Sequence, residues 1–277
     1  MGDWSTLAAN TSLALRSATW WPLGLALVAY FVGVFVIGER LHSAAHRLLP
    51  RLSRLASASI GMAGVFASHI SFGAAAGEVA RAAWLRRFAH GEEAVMRRVL
   101  AALAIDRLAD GVALFGLVVI AFVGGVQRSK SLLLAAIPVV IAAVLIVALG
   151  RARFEFDRKQ ALRGTVRALP AAIGGWALDL LRVYFVALAV GLHLPLGTLC
   201  ALSLAAAIGS QAPTPGGLGG VEAAMVVAGL SLGVAPAPLF ALVVLDRAIT
   251  LVIGTVAGGL FSMLLIRLQR AYDGASA

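Results

Sequence analysis

An apolar stretch of this chain is interrupted by Ala212-Pro213-Thr214-Pro215-Gly216-Gly217-Leu218-Gly219-Gly220-Val221-Glu222. Proline lacks a backbone N–H and fixes φ, and glycine admits conformations other residues avoid, so no regular helix runs through such a segment. The setting makes the break informative: 61% of the residues are hydrophobic, 13% are charged, and the mean hydropathy is +0.94. These values belong to polytopic membrane proteins. Lipid offers no hydrogen-bond partners, so irregular backbone at membrane depth survives only where it lines a cavity or is buried in protein. A Pro/Gly break that ends in a carboxylate therefore marks a site.

A full crossing needs about 20 apolar residues. Apolar runs fall near 22–38, 55–72, 99–126, 131–150, 168–191, 196–211, 221–233 and 239–266, with a shorter segment at 78–89. The pairs 55–72/78–89 and 196–211/221–233 each flank a glycine-rich break and read as re-entrant hairpins. Lys and Arg accumulate in cytoplasmic loops, which tests that reading. If 55–72 crossed without returning, Arg81, Arg86, Arg87, Arg97 and Arg98 would stand outside. A returning hairpin places them in the cytoplasm with Arg40, Arg47, Arg51 and Arg54. The path then exits through 99–126 to Arg128 and Lys130 and re-enters through 131–150 to the basic segment 151–167. It exits again through 168–191 and ends, after 239–266, at Arg267 and Arg270.

The expectation is an all-α polytopic integral membrane protein with its N-terminus outside and its C-terminus cytoplasmic. The excess of basic residues is thereby explained by loops rather than by nucleic acid. The abundance of Ala and Arg suggests a bacterial chain, hence the inner (cytoplasmic) membrane. Arg16 alone precedes the first run and several arginines follow it, which favours an uncleaved anchor over a signal peptide. Residues 1–19 read as lying along the outer interface. The segment from Phe154 to Leu169 reads either as a cytoplasmic interfacial helix or as a solvated basic loop.

Each hairpin is followed by a long helix bearing Asp-Arg, at Asp106-Arg107 and at Asp246-Arg247. The first hairpin opens from the cytoplasm and the second from outside, which makes an inverted repeat of re-entrant hairpin plus long transmembrane helix. Within one transmembrane domain, 1–277, residues 1–54 form the anchor and a basic loop, and 55–126 the first repeat. Residues 127–195 form connecting spans, 196–266 the second repeat and 267–277 a cytoplasmic tail.

Nine ionisable residues lie in or beside apolar segments: Glu78, Asp106, Arg107, Asp110, Asp179, Arg182, Glu222, Asp246 and Arg247. Each costs about 2.5–3.5 kcal/mol at the bilayer centre unless compensated. Asp179 with Arg182, and Asp106 and Asp110 around Arg107, have the helical spacing for compensation. Glu78 and Glu222 would each open the second half of a hairpin, where the helix dipole and free N–H groups favour an anion. They read either as caps or as members of a polar cavity. The candidate cavity comprises Gly77, Glu78, Arg81, Gln211, Pro215, Gly216, Gly217, Gly219 and Glu222. The other charged residues form an intramembrane network.

Gly73 and Gly77 alone would fit close helix packing. Arg81 either reaches a lipid phosphate or snorkels to the surface. His69 reads as a packed polar residue rather than a ligand. A single cysteine, Cys200, and five scattered histidines supply no disulfide framework and no metal-ligand spacing, so no metal or cofactor is expected.

The stretch Gly73-Ala74-Ala75-Ala76-Gly77-Glu78-Val79-Ala80-Arg81, followed by Ile105-Asp106-Arg107-Leu108-Ala109-Asp110, resembles a signature of the lysylphosphatidylglycerol synthase transmembrane-region family, also called flippase-like. That signature runs Pro-Gly-x-x-Gly-Glu-x-x-Arg and then acidic-Arg-x-x-Asp. Gly73 stands where the family usually has Pro, and Asp106 where it often has Glu. A second signature, Pro-Gly-Gly-x-Gly followed by Glu, is similar to Pro215 through Glu222. The resemblance spans about 55–250 and concerns the membrane half of such synthases, not their aminoacyl-transfer domain. It implies translocation or handling of a membrane lipid, possible partnership with a lipid-modifying enzyme, and no assigned catalytic residue.

Other functions stay open from the residues alone. Asp106 and Asp110 could serve a lipid or glycan transferase that binds Mg²⁺ and a diphosphate, although the paired Asp-rich motifs of prenyltransferases are absent. A non-catalytic partner subunit and a small-solute or ion-coupled transporter also fit inverted hairpins. The oligomeric state is not legible.

Overall fold

The computed structural model describes residues 4–88, 95–123 and 158–275. All regular structure among these residues is helical, as the composition requires in a solvent that cannot satisfy a free backbone. The elements in chain order are α1 (Trp4–Arg16), α2 (Trp20–Ala45), α3 (Arg54–Ile70), α4 (Ala74–Arg87), α5 (Val95–Val123), α6 (Arg158–Ala189), α7 (Leu196–Gly209), α8 (Gly220–Ser231), α9 (Pro236–Arg247) and α10 (Gly254–Ala275). A 3₁₀ turn, Pro215–Gly217, lies between α7 and α8, and a π-helical stretch, Ala248–Ile253, joins α9 to α10. The segments Trp20–Ala45, Lys159–Ala189 and Pro236–Arg270 are long and apolar enough to cross a membrane. Exposed Val28, Phe35, Ile173, Leu181, Val256 and Leu260 lie on these segments, as a lipid-facing surface needs. The chain is an all-α multi-pass membrane protein.

The expected span 131–150 and its flanking Arg128 and Lys130 lie outside the described residues, as does Phe154. From Arg158 onward the basic segment is helical and continuous with the following span, so from there it is not a loop. The expected 239–266 helix begins at Pro236 and is broken by the π stretch just after Arg247. Wide turns of this kind recur at functional sites.

α2 and α6 pack together along their length and run antiparallel: Gly33 faces Leu178, Gly174 faces Val36, and Thr19 N–H donates to the Ala189 carbonyl at 3.0 Å. α3 returns along α2, with Gly38 against Ala58, so the first hairpin enters from the end opposite Thr19. α7 starts just beyond the turn after Ala189, so the second hairpin enters from the other end. Small residues let each hairpin close: Gly77 lies on the Gly64 carbonyl, and Gly209 on Gly220 and Val221. The two tips meet in the interior. Gly73 lies beside the Ala212 and Thr214 carbonyls, and Gly216 beside His69. α1 packs against α9, so the N-terminal helix sits at the end that holds Thr19 and Ala189.

At Gly73 backbone conformation and contact both demand glycine. Its φ is +67, and a Cβ there would stand 2.6 Å from the Ala212 carbonyl oxygen. Gly77, by contrast, is a packing glycine inside α4.

Candidate functional site

The intramembrane charges assemble into two clusters, one at each hairpin. In the first, Asp106 is fully buried on α5 and accepts from Arg40 Nε at 2.8 Å and from Arg81 Nη2 at 2.7 Å. Arg40 also pairs with Asp110, and Arg81 reaches Glu78 at 3.0 Å. Arg107 bridges Glu78 and Asp110, the latter at 3.2 Å. Trp176 on α6 donates its indole N–H to Asp110 at 3.1 Å. In the second cluster Arg182 on α6 pairs with Asp179 at 2.6 Å and with the buried Asp246 on α9. Arg247 donates from Nε to Glu222 at 2.7 Å and from Nη2 to the Gly216 carbonyl at 2.8 Å.

The clusters share one plan. A glutamate on the second arm of each hairpin, Glu78 or Glu222, pairs with the arginine of the following Asp-Arg, Arg107 or Arg247. The aspartate of that dipeptide turns to an arginine on the long helix preceding the hairpin: Asp106 to Arg40, Asp246 to Arg182. Adjacent residues on a helix point about 100° apart, so each Asp-Arg dipeptide necessarily serves two different neighbours.

Several expectations need correction. Arg40 and Arg81, assigned to the cytoplasm from their position in the charge pattern, are 6% and 5% exposed and belong to the first cluster. Arg81 therefore neither snorkels nor reaches a surface phosphate. Burying a guanidinium requires carboxylate partners, and both have them. Arg107 does not bridge Asp106 and Asp110, because Asp106 turns away to Arg40 and Arg81. Glu78 does not open α4: the helix begins at Ala74, with Gly73 at its N-cap, so Glu78 sits beyond the first turn. Glu222 does open α8, accepting the Gly219 N–H at 2.8 Å while it holds Arg247, so cap and network member are one residue.

A cavity of about 280 Å³ lies where the hairpin tips meet. Of the expected cavity residues, Gly216 and Gly217 line it; so do Asp179, Arg182, Asp246 and Arg247 from the network. Gly77, Glu78, Arg81, Pro215, Gly219 and Glu222 do not reach its wall, and Gln211 is exposed and folded onto Ala207 and Ser210. The wall also contains side chains that nothing in the sequence singled out: Ser68, Trp176, Ser203, Ser210 and Thr250. His69 also lines the cavity, with Nδ1 on the Thr255 hydroxyl at 2.8 Å. Their signal was faint, since each is a single polar residue in an apolar helix. An apolar cleft of about 140 Å³ between α2, α3 and α6 adjoins the cavity and shares Asp179, Arg182 and Thr250 with it.

Among the described residues, no three His, Cys, Asp or Glu side chains gather at metal-binding distances. Comparison with curated proteins returned no match. A family model described as the lysylphosphatidylglycerol synthase TM region matches residues 4–258, and the chain belongs to that family.

Proposed function

We propose that this protein moves a membrane lipid between leaflets, the polar headgroup passing through the cavity at the hairpin tips while the tails stay in apolar surroundings. The observation that carries the reading is the junction of two unlike spaces. A cavity walled by charged and hydroxyl side chains opens beside a cleft walled by Ala29, Gly33, Val34, Ile37, Met62 and Val65. A lipid has the same division, and a small polar solute would have no use for the cleft.

The hairpins and their equivalent ion pairs are read as an inverted repeat, which gives a fold two related arrangements around one site. Transport requires the ligand to interact differently with the two arrangements. Arg47, Arg51, Arg54, Arg86, Arg87 and Arg267 gather at the end where the first hairpin enters, which supports reading that end as cytoplasmic and the Thr19 end as outward.

The test is purified protein in liposomes with headgroup-labelled lipids in one leaflet. Protein-dependent loss of label protection, reduced by Glu222→Gln, is expected. No protein-dependent movement of any anionic, zwitterionic or glycosylated lipid would overturn the reading.

A further inference from the structure

One short segment holds both hairpin tips. Arg247, just before the π-helical stretch, donates from Nη2 to the Gly216 carbonyl in the second tip. Thr255, just after that stretch, pairs with Nδ1 of His69, in the last turn of α3 beside the first tip. The imidazole lies between these attachments. A Cβ placed on Gly216 would stand 3.2 Å from its Cδ2, and one on Gly254 3.3 Å from its Cε1. Among the residues that line the cavity, His69 alone has an ordinary pKa near neutrality.

The hydrogen bonds place the proton of the neutral ring. Thr255 donates its one hydroxyl proton to the Leu251 carbonyl at 2.5 Å, so towards His69 it can only accept. Nδ1 therefore carries the hydrogen, and Nε2, between Cδ2 and Cε1, carries the lone pair. No described residue hydrogen-bonds to Nε2. A proton taken up there leaves the bond to Thr255 intact and adds a positive charge. Arg247 on α9 is the charged side chain that acts on the ring, and on α2 the Tyr30 hydroxyl lies beside Gly254. Across the cavity Asp179 and Asp246 are both engaged by Arg182, and Glu222 is turned to Arg247. α3 has no other charged residue after Arg54, and α10 has none before Arg267. An imidazolium at this place would thus stand beside Arg247 without a carboxylate of its own.

We propose that His69 Nε2 is a proton site and that proton uptake there parts the two hairpin tips. The neutral ring packs on Gly216 and the tips stay joined. The imidazolium is repelled by Arg247, the residue that holds the Gly216 carbonyl, and like charges without a counterion between them weaken that contact. Parting the tips opens the cavity. On the translocation reading above, lipid movement then quickens as pH falls; the proton site itself stands without that reading.

The experiment reads the tips directly. In a Cys200→Ala background in nanodiscs, nitroxide labels are placed at Phe72→Cys in the first tip and Leu218→Cys in the second, both exposed positions. Dipolar coupling between the labels gives their separation from about pH 8 to about pH 5.5, either side of the ordinary histidine pKa. The separation should lengthen as pH falls, with a one-proton midpoint. His69→Asn sets an amide N–H where Nδ1 donated, keeps a donor for Thr255 and cannot titrate, so its separation should hold the high-pH value throughout. His69→Gln, which also cannot titrate, carries the test if His69→Asn does not fold. In liposomes the parent should move labelled lipid about fivefold faster at the low end of the range, the smaller end of typical coupling between two sites. The variants should show a flat profile. The proposal is overturned if the parent's tip separation does not change with pH, or if the variants follow the parent. Tips that part with pH in a protein that moves no lipid overturn only the translocation reading. Lipid movement with a pH-independent tip separation overturns only this inference.

Discussion

The two hairpins were built to one plan and do different work. At the first, three arginines meet three carboxylates, Asp106 is fully enclosed, and Trp176 donates to Asp110. At the second, Asp179, Arg182, Asp246 and Arg247 stand along a cavity. The first cluster resists change at its buried members, because removing Arg40, Arg81 or Asp106 leaves a buried charge short of a partner. The second borders an open space, so a ligand in the cavity would reach its charges. The first reads as the anchor of the fold and the second as its working side.

The sharpest way to break this comparison is to neutralise the equivalent aspartates. Asp106→Asn takes a shared carboxylate from two buried guanidinium groups, leaving Arg40 only Asp110 and Arg81 only Glu78, and should destabilise by about 3–5 kcal/mol, seen as a large fall in unfolding temperature or in folded yield. Asp246→Asn leaves Arg182 with Asp179, so the loss should be nearer 1–3 kcal/mol. Equal losses would erase the distinction between anchor and working side.

The contact between tips comes next. Gly73→Ala forces a Cβ onto the Ala212 carbonyl at a positive φ and should cost about 1–3 kcal/mol while slowing lipid movement. Gly191→Ala has the same backbone problem in open space, so it should leave movement intact at a loss of about 1 kcal/mol. Unfolding midpoints and liposome rates measured on both variants separate strain from wedging.

Glu222→Gln keeps an acceptor for the Gly219 N–H but weakens the pair with Arg247. Partial exposure limits the stability loss to about 1 kcal/mol, whereas translocation should fall clearly. The smallest effect belongs to Gln211→Ala, which touches only its own helix and should change stability by less than about 0.5 kcal/mol. A marked loss of transport in Gln211→Ala would mean that the cavity extends past the described wall.

What was legible from the residues follows from range. Glu222 announced itself because a helix start is a local event: the glycines, the break and the carboxylate lie within a few positions of one another. The pair Asp179–Arg182 was legible for the same reason, at helical spacing. Arg40 was not. Its partner Asp106 is 66 positions away, and its neighbours in sequence are the basic residues that normally mark a cytoplasmic loop. Arg81 was misplaced by the same rule, since counting charges cannot tell a loop arginine from one that folds back into the protein.

By itself the sequence determined the solvent of this protein and the places where its helices must break. Hydropathy and the proline and glycine positions act on the backbone locally, and no distant contact can supply a missing N–H or make lipid accept a free one. Only the tertiary structure decided which charges meet, because a buried ion pair depends on distances between helices rather than along them. That is why Arg40 and Arg182, far apart in the chain and unlike in their sequence surroundings, hold equivalent places opposite Asp106 and Asp246.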